Sequence, residues 1–274
     1  MRKQHITAVE AILQSHEPWC MNACHRYLGR SGKDCVWMLQ AHSGEISAII
    51  VDSKQSLLPV LSGVTHVPPP HFLRKLFGIV PIHSLQGCIE DVLIMETELE
   101  KIGLFAAETI DYDLMCMDQL PHSLIINEKK GPSGLVVRKP CSTDIDALAS
   151  LQLCYEREEV LPKASELSAA LSRLNIERIY AKEQMLVAEL NGRLIGKINT
   201  NAVTFTRFQV GGVYVDPAFR KMGIARRMAG EFTAILAAQG RGISLFVKKS
   251  NPAARRVYQS IGYQTAGDYR INYY

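Results

Sequence analysis

The sequence predicts an α/β protein with a mixed α+β sheet, arranged as two domains, and three observations carry that expectation. Its 274 residues exceed what one core usually holds, at roughly 100 to 200 residues per domain. Short β-type runs alternate with helix-period patterns along the whole chain. Asn191-Gly192 stands between two alternating apolar runs, the strongest short-range hairpin signal.

Taken in order, a helical period covers 5–14, and Pro18 suits the first position of a second helix that runs toward Leu28 and is stopped by 29–33. The β-type runs 35–40 and 45–52 flank Ser43-Gly44 as a hairpin, and 56–61 supplies a third strand. His66-Val67-Pro68-Pro69-Pro70 is a rigid break. Helical patterns follow at 71–77 and 85–101, the second with Cys88, Val92, Met95 and Leu99 at helical spacing. Residues 109–117 read as a strand. The stretch 121–134 is the most polar and the most marked by Gly and Pro, so the boundary falls there: an N-terminal α/β domain over 1–125 and a second domain over 134–274.

The second domain opens with a strand at 135–138, and Ser142-Thr143-Asp144 starts a helix that carries Ile145, Leu148 and Leu151. Another helix covers 164–175 and extends toward Glu183. The hairpin 184–190 and 193–200 follows, then a strand at 208–215 and a helix at 223–239. A strand at 243–247, a helix at 252–261 and a final strand within 268–273 complete the order.

Apolar residues make up 47% and charged residues 21%, which allows a core in each half and excludes a disordered or fibrous chain. A net charge of +4 is weak evidence for a nucleic-acid partner, and none is expected; the two basic groups, 220–227 and 248–256, better suit a small polyanion. No run of 18 apolar residues occurs, and 1–17 is broken by Glu10, Gln14 and His16, so no membrane partner is expected and the protein reads as cytoplasmic. Seven cysteines form an odd set without a framework, as reduced thiols do. Cys20 and Cys24 share a helical face beside His25, yet no further ligands stand at tetrahedral spacing; buried structural thiols are favoured over a redox role, and no metal is expected.

The chemistry lies between a strand and a helix, in Val213-Tyr214-Val215-Asp216-Pro217-Ala218-Phe219-Arg220-Lys221-Met222-Gly223-Ile224-Ala225-Arg226-Arg227. Free N–H groups at a helix N-terminus, with the helix dipole, make a site for pyrophosphate. Gly223 and Ala225 keep bulk away from it, and Arg220 and Lys221 add charge. A second motif comes later in the chain: Asn251-Pro252-Ala253-Ala254, then Tyr258 and Ile261-Gly262-Tyr263. Pro252 at the first helical position makes Asn251 the N-cap, and Asn251, Ala254, Tyr258 and Ile261 share one helical face.

Together the motifs resemble the GCN5-related N-acetyltransferase (GNAT) family. Arg220, Gly223 and Ala225 occupy the positions of its Arg/Gln-x-x-Gly-x-Gly/Ala signature, and 251–263 is similar to its Asn-x-x-Ala-x-x-x-Tyr-x-x-x-Gly-Phe/Tyr hallmark, in the family's order. The resemblance covers most of 134–274. It implies acetyl-CoA as co-substrate, held in a gap between two splayed parallel strands, 213–215 and 245–247, with Gly211-Gly212 supplying a bulge. It further implies that backbone groups of Val213 and Val215, flanking Tyr214, hold the pantetheine and acyl carbonyl, and that Lys221, Met222, Gly223, Ile224, Ala225 and Arg226 cradle the pyrophosphate. Asn251 contacts the cofactor arm. Tyr258 stands where the family often has the acid that protonates the departing thiolate, with a packing role as the alternative.

One departure matters: where some members carry a glutamate base, this chain has Leu245-Phe246-Val247. Glu189, Glu156, Glu158 and Glu159 are alternative bases, beside a water relay or a weakly basic amine. The implied activity is acetyl transfer to a primary amine, small-molecule or peptide, in a ternary complex, by a monomer or homodimer. A non-catalytic acyl-CoA sensor is the competing reading. The amine is expected between 156–162, Thr204-Phe205-Thr206-Arg207 and the first domain, with Thr206 and Arg207 as polar contacts. The first domain resembles the opening half of the same fold but lacks the Arg-x-x-Gly-x-Gly/Ala signature; as a degenerate copy it would bind no CoA.

Overall fold

The computed structural model describes residues 3–30, 34–40, 44–61, 73, 75, 76, 78, 82–120, 131–160 and 168–274. The expected Pro-rich break, most of the helical pattern at 71–77 and most of the polar boundary stretch at 121–134 lie outside the described residues. By compactness the chain divides into Met1–Leu114 with Ala266–Tyr274, and Met115–Thr265.

In the first unit, α1 (Lys3–Ser15) and α2 (Met21–Leu28) bury Val9, Leu13, Met21, Cys24 and Tyr27. Pro18 sits in the turn before α2, which begins later than Pro18 alone suggests. Cys20 and Cys24 are buried with their sulfurs 3.4 Å apart, and both thiols point at the Leu13 carbonyl. β1 (Cys35–Gln40) and β2 (Ile46–Ser53) pair antiparallel, and β2 turns through Lys54 and Gln55, both at positive φ, into β3 (Ser56–Val60).

The helix expected over 85–101 is corrected at its start. Ser84–Cys88 is a strand, β4, and the helix α3 is Ile89–Glu100. Residues 84–88 pair in parallel with β3 and antiparallel with β11 (Gln264–Tyr273), in the register Tyr269↔Cys88 to Tyr273↔Ser84. Ladder bonds on both edges outweigh the helical spacing of the apolar side chains, and Gly87 weakens the helix there. With β5 (Glu108–Met117) the strand order of this unit is β1-β2-β3-β4-β11-β5. Ile50, Leu57, Leu85, Val92, Met95 and Leu99 form its core.

The second unit has the order β5-β10-β9-β8-β7-β6, with β6 (Leu135–Arg138), β7 (Met185–Leu190), β8 (Arg193–Val203), β9 (Arg207–Val215) and β10 (Gly242–Lys248). From β6 to β9 the neighbours run antiparallel, with Asn191 and Gly192 both at positive φ in the β7–β8 turn. β9 and β10 are parallel and therefore need a crossover, which α6 (Ile224–Ala237) supplies. Ile224, Met228, Phe232 and Leu236, four residues apart, are buried in the main core with Leu245 and Ile261.

Side-chain alternation on β7 separates two layers. Leu186 and Ala188 join that core, whereas Met185 and Val187 pack with Leu148 of α4 (Ile145–Tyr155) and Ile176 of α5 (Ala169–Lys182). Helix α7 (Pro252–Ile261) comes after β10, as its Pro and Asn predict.

Arg138, at the end of β6, clamps the start of α4 to β7. Its guanidinium meets Asp144 at 2.7 and 3.0 Å and Glu189 at 2.6 and 2.8 Å. The Arg138 hydrogen bonds hold the Asp144 carboxyl below the usual carboxylate range, against the effect of its burial. That stability is present above the unfolded carboxylate pKa near 3.9 and is lost as pH falls through the lower folded value. Arg138→Ala is therefore expected to cost about 1–3 kcal/mol in urea unfolding at neutral pH. The gap should close progressively in acid, and an equal gap at both pH values would show that the clamp acts by packing alone.

Candidate active site

Strands β9 and β10 pair only over their first halves, from Gly242↔Arg207 to Leu245↔Val210. Beyond Val210 and Leu245 the two have no mutual partners among the described residues, so a gap opens along 211–215 and 246–248. On its other edge β9 pairs Gly211 with Asn199 and Tyr214 with Lys197, which sets Gly212 and Val213 against Ile198 alone: a β-bulge. Gly212 has φ +59°, and a Cβ there would lie 1.9 Å from Asn199 Oδ1. A Cβ at Gly211 would lie 2.0 Å from Asn201 Nδ2. The Gly-Gly pair is thus demanded by two asparagine side chains lying over the bulge.

After β9, Asp216 accepts a hydrogen bond from the Ala218 N–H at 3.0 Å and caps the short 3-10 turn Pro217–Phe219. Lys221 at φ +65° and Gly223 at φ +79° then reverse the chain into α6, with Gly223 as N-cap and open space where its side chain would be. The side chain of Ile224 is in the core and Ala225 packs against it, so only backbone of these residues is presented at the helix end, where the first N–H groups lack intrahelical partners. Met222 is exposed. Arg220 donates through Nε to the Val215 carbonyl at 2.9 Å and through both Nη atoms to Glu158, each at 2.7 Å.

Beside the gap, Asn251 caps α7 by accepting from the Ala254 N–H at 3.0 Å, and its Nδ2 donates to Glu159 Oε1 at 3.3 Å. Tyr258 is buried, edge-on to Tyr263 with ring centroids 5.7 Å apart. Burial, then the neighbouring phenols Tyr263 and Tyr155 and the charge of Glu159, push its phenol well above the ordinary range. It therefore carries its proton at neutral pH.

The carboxylates considered as bases separate by their partners. Glu189 belongs to Arg138 and Glu158 to Arg220. Glu156 is buried and accepts from Gln152 at 2.8 Å, from Asn175 at 3.0 Å and from the Ser172 hydroxyl. Glu159 is half-buried, 3.8 Å from Lys248, and burial raises its carboxyl above the usual value against the pull of that lysine. The segment Glu156–Val160 is a single π-helical turn, a form that clusters at functional sites, and it fans these side chains toward different partners.

Two residues escaped the sequence reading. Tyr155, whose phenol burial lifts to about 12, stands under the bulge with the Gly212 N–H directed at it. Lys197 on β8 is fully buried, its Nζ 2.8 Å from the Gly212 carbonyl, 3.3 Å from Asn199 Oδ1 and 4.5 Å from the centre of the Tyr155 ring. The available signal was a lysine inside the run Ile195-Gly196-Lys197-Ile198-Asn199, which is the continuously buried middle of β8. A cavity of about 200 Å³ adjoins the bulge, lined among others by Gln152, Tyr155, Glu156, Asn175, Asn199 and Gly212.

The expected acceptor contact at Arg207 is corrected. Its buried guanidinium binds Asp118 at 2.6 Å, the Ser244 hydroxyl at 2.8 Å and the Ile243 carbonyl at 3.1 Å. It also stands five residues from Gly212 along β9, roughly 16 Å. Arg207 is a packing group, placed by its need for partners when buried. The rest of the expected acceptor segment at 161 and 162 lies outside the described residues.

The site is thus a parallel strand pair that parts opposite a bulge, followed by a glycine-capped helix, within a mixed α/β fold. Residues 145–263 match the family model described as Acetyltransferase (GNAT) family, and this part of the chain is a GNAT-family acetyltransferase domain. Solved structures similar to the chain include a putative GNAT acetyltransferase from Novosphingobium aromaticivorans, 20% identical, with TM-score 0.45 over 61% of this chain; the chain spans 65% of that protein. A Drosophila protein is 12% identical with TM-score 0.62, covering 97% of this chain and 86% of its own. A GCN5-related N-acetyltransferase from Sphaerobacter thermophilus is 18% identical with TM-score 0.57, covering 92% and 89%. No curated protein matches the sequence significantly. No helix among the described residues is long and apolar enough to cross a membrane.

Proposed function

We propose that this protein moves an acetyl group from acetyl-CoA to a primary amine, small-molecule or peptide, by direct transfer in a ternary complex. The observation that supports it most is the opening between β9 and β10, which runs from the bulge at Gly212-Val213 to the N-terminus of α6. In this reading the N–H groups at 221–226 receive the pyrophosphate, backbone groups of Val213 and Val215 hold the pantetheine and acyl carbonyl, and Asn251 lies along the arm. The amine enters from the polar cavity at Tyr155 and Glu156.

The amine nitrogen attacks the thioester carbon, the C–S bond breaks, and the leaving thiolate takes the proton of Tyr258. The ammonium proton goes to Glu159, directly or through water. Glu159 is favoured over the other carboxylates because an arginine or three donors already occupy each of those. A half-buried base beside a protonated phenol favours an enzyme over a non-catalytic sensor. The seven free cysteines suit a reducing, cytoplasmic setting. The domain assignment 1–125 and 134–274 belongs to the same proposal, with a monomer or homodimer as the working form.

A screen of amines, amino acids, polyamines and peptides for release of the CoA thiol tests the reading, and no release or acetyl-CoA binding with any of them would sink it. Within it, Glu159→Gln is expected to lower kcat about 10²-fold or more. Because burial raises its carboxyl, wild-type activity should fall as pH drops through a value above the ordinary 4.3, and that acid limb should vanish in the variant. A pH–rate profile unchanged by the substitution would remove Glu159 from the mechanism.

A further inference from the structure

Lys197 stands where a strand normally buries an apolar side chain. An ammonium taken out of water costs several kcal/mol after relaxation, so a lysine with no exposed surface needs a compensating role. Its partners locate that role at the bulge. The amine donates to the Gly212 carbonyl at 2.8 Å and to Asn199 Oδ1 at 3.3 Å, and faces the Tyr155 ring at 4.5 Å. The Gly212 C=O and the Val213 N–H belong to one peptide group, whose resonance links the two ends. A cation on the oxygen draws density from the nitrogen and makes its N–H a stronger donor, as in any polarised hydrogen-bond chain.

We propose that Lys197 is a positioning residue for acyl transfer: through the Gly212 carbonyl it fixes the bulge and polarises the Val213 N–H toward the negative charge developing on the acyl oxygen. The inference rests on the reading above, in which Val213 receives that oxygen. Lys197 does not line the cavity, so it acts through the peptide group.

The device carries a pH dependence. Burial lowers the lysine to about 7, with the Glu156 carboxylate pulling the other way. The remaining groups facing it are the phenols of Tyr155 on α4 and Tyr214 on β9, both raised by burial and so neutral, while β7 sets only Val187 opposite. Polarisation is complete below the folded value and fades above it.

The test is isotope-edited infrared spectroscopy of [1-¹³C]acetyl-CoA bound without an amine. In the wild type the carbonyl band is expected below its position in water and to move back up with a midpoint near neutrality. Lys197→Met should show a smaller displacement and no midpoint, a kcat lower by about 10-fold to 100-fold, and acetyl-CoA affinity within about threefold. An equal displacement in Lys197→Met overturns the proposal while the function stands. Should that variant not fold, a wild-type band that stays fixed from about pH 5.5 to about 8.5 overturns it equally. Absence of any bound-carbonyl band in the wild type, with no thermal shift by acetyl-CoA, overturns the acyl-CoA reading and this proposal with it.

Discussion

Tyr258→Phe is expected to lower turnover by about 10² to 10⁴ while leaving acetyl-CoA affinity almost unchanged. The ring is buried and packs edge-on against Tyr263, contacts that phenylalanine keeps. What disappears is a proton that burial and its neighbours hold on the phenol across the working pH range. In the proposed step that proton goes to the thiolate, so the loss should fall on kcat and shrink with a donor whose thiol leaves more easily. Steady-state thiol release with an identified amine decides the matter, and a wild-type kcat would return Tyr258 to a packing role.

Gly223→Glu should abolish the thermal stabilisation by CoA, a ligand effect of about 2.7 kcal/mol at a hundredfold excess over Kd. Gly223 holds φ +79° as N-cap of α6, with open space at the position of a Cβ. A glutamate there pays roughly 1–2 kcal/mol for the left-handed backbone and sets a negative charge where the pyrophosphate is proposed to sit. The comparison is therefore made within each variant, with and without CoA. Gly223→Asn, which tolerates the backbone and adds no charge, should retain most of the shift. An unchanged shift in the glutamate variant would move the phosphate site elsewhere.

Local chemistry made much of this architecture legible. Asn191-Gly192 forms its turn, Pro252 starts α7 and Asn251 caps it, because each depends on neighbours in sequence. Gly211-Gly212 was readable as a bulge, but its cause was not: two asparagine side chains two residues apart on β8 demand it. The strand at 84–88 was hidden because its apolar spacing also fits a helix, and ladders with residues far along the chain decide the outcome. Lys197 resembles any strand lysine until the bulge carbonyl is seen against it. Among the carboxylates, sequence distance carries no information on partners, and Arg138 and Arg220 make the selection.

The π-helical turn at Glu156–Val160 makes chain length a control on direction. In an α-helix each residue advances the side-chain bearing by about 100°, so a segment that departs from that step works as a phase shifter between the helix before it and the chain beyond it. Here the quantity being set is which way Glu156, Glu158 and Glu159 face: into α5, toward Arg220, and toward Asn251. A conservative exchange within the turn alters one side chain and leaves the other bearings intact. Removal of a single residue rotates everything downstream of the cut, relaxing the turn into ordinary helix while separating Arg220 and Asn251 from their carboxylates. Natural variation in this segment should therefore be strict in count, and strict in type where a glutamate meets its partner, whereas surface loops usually tolerate changes in both.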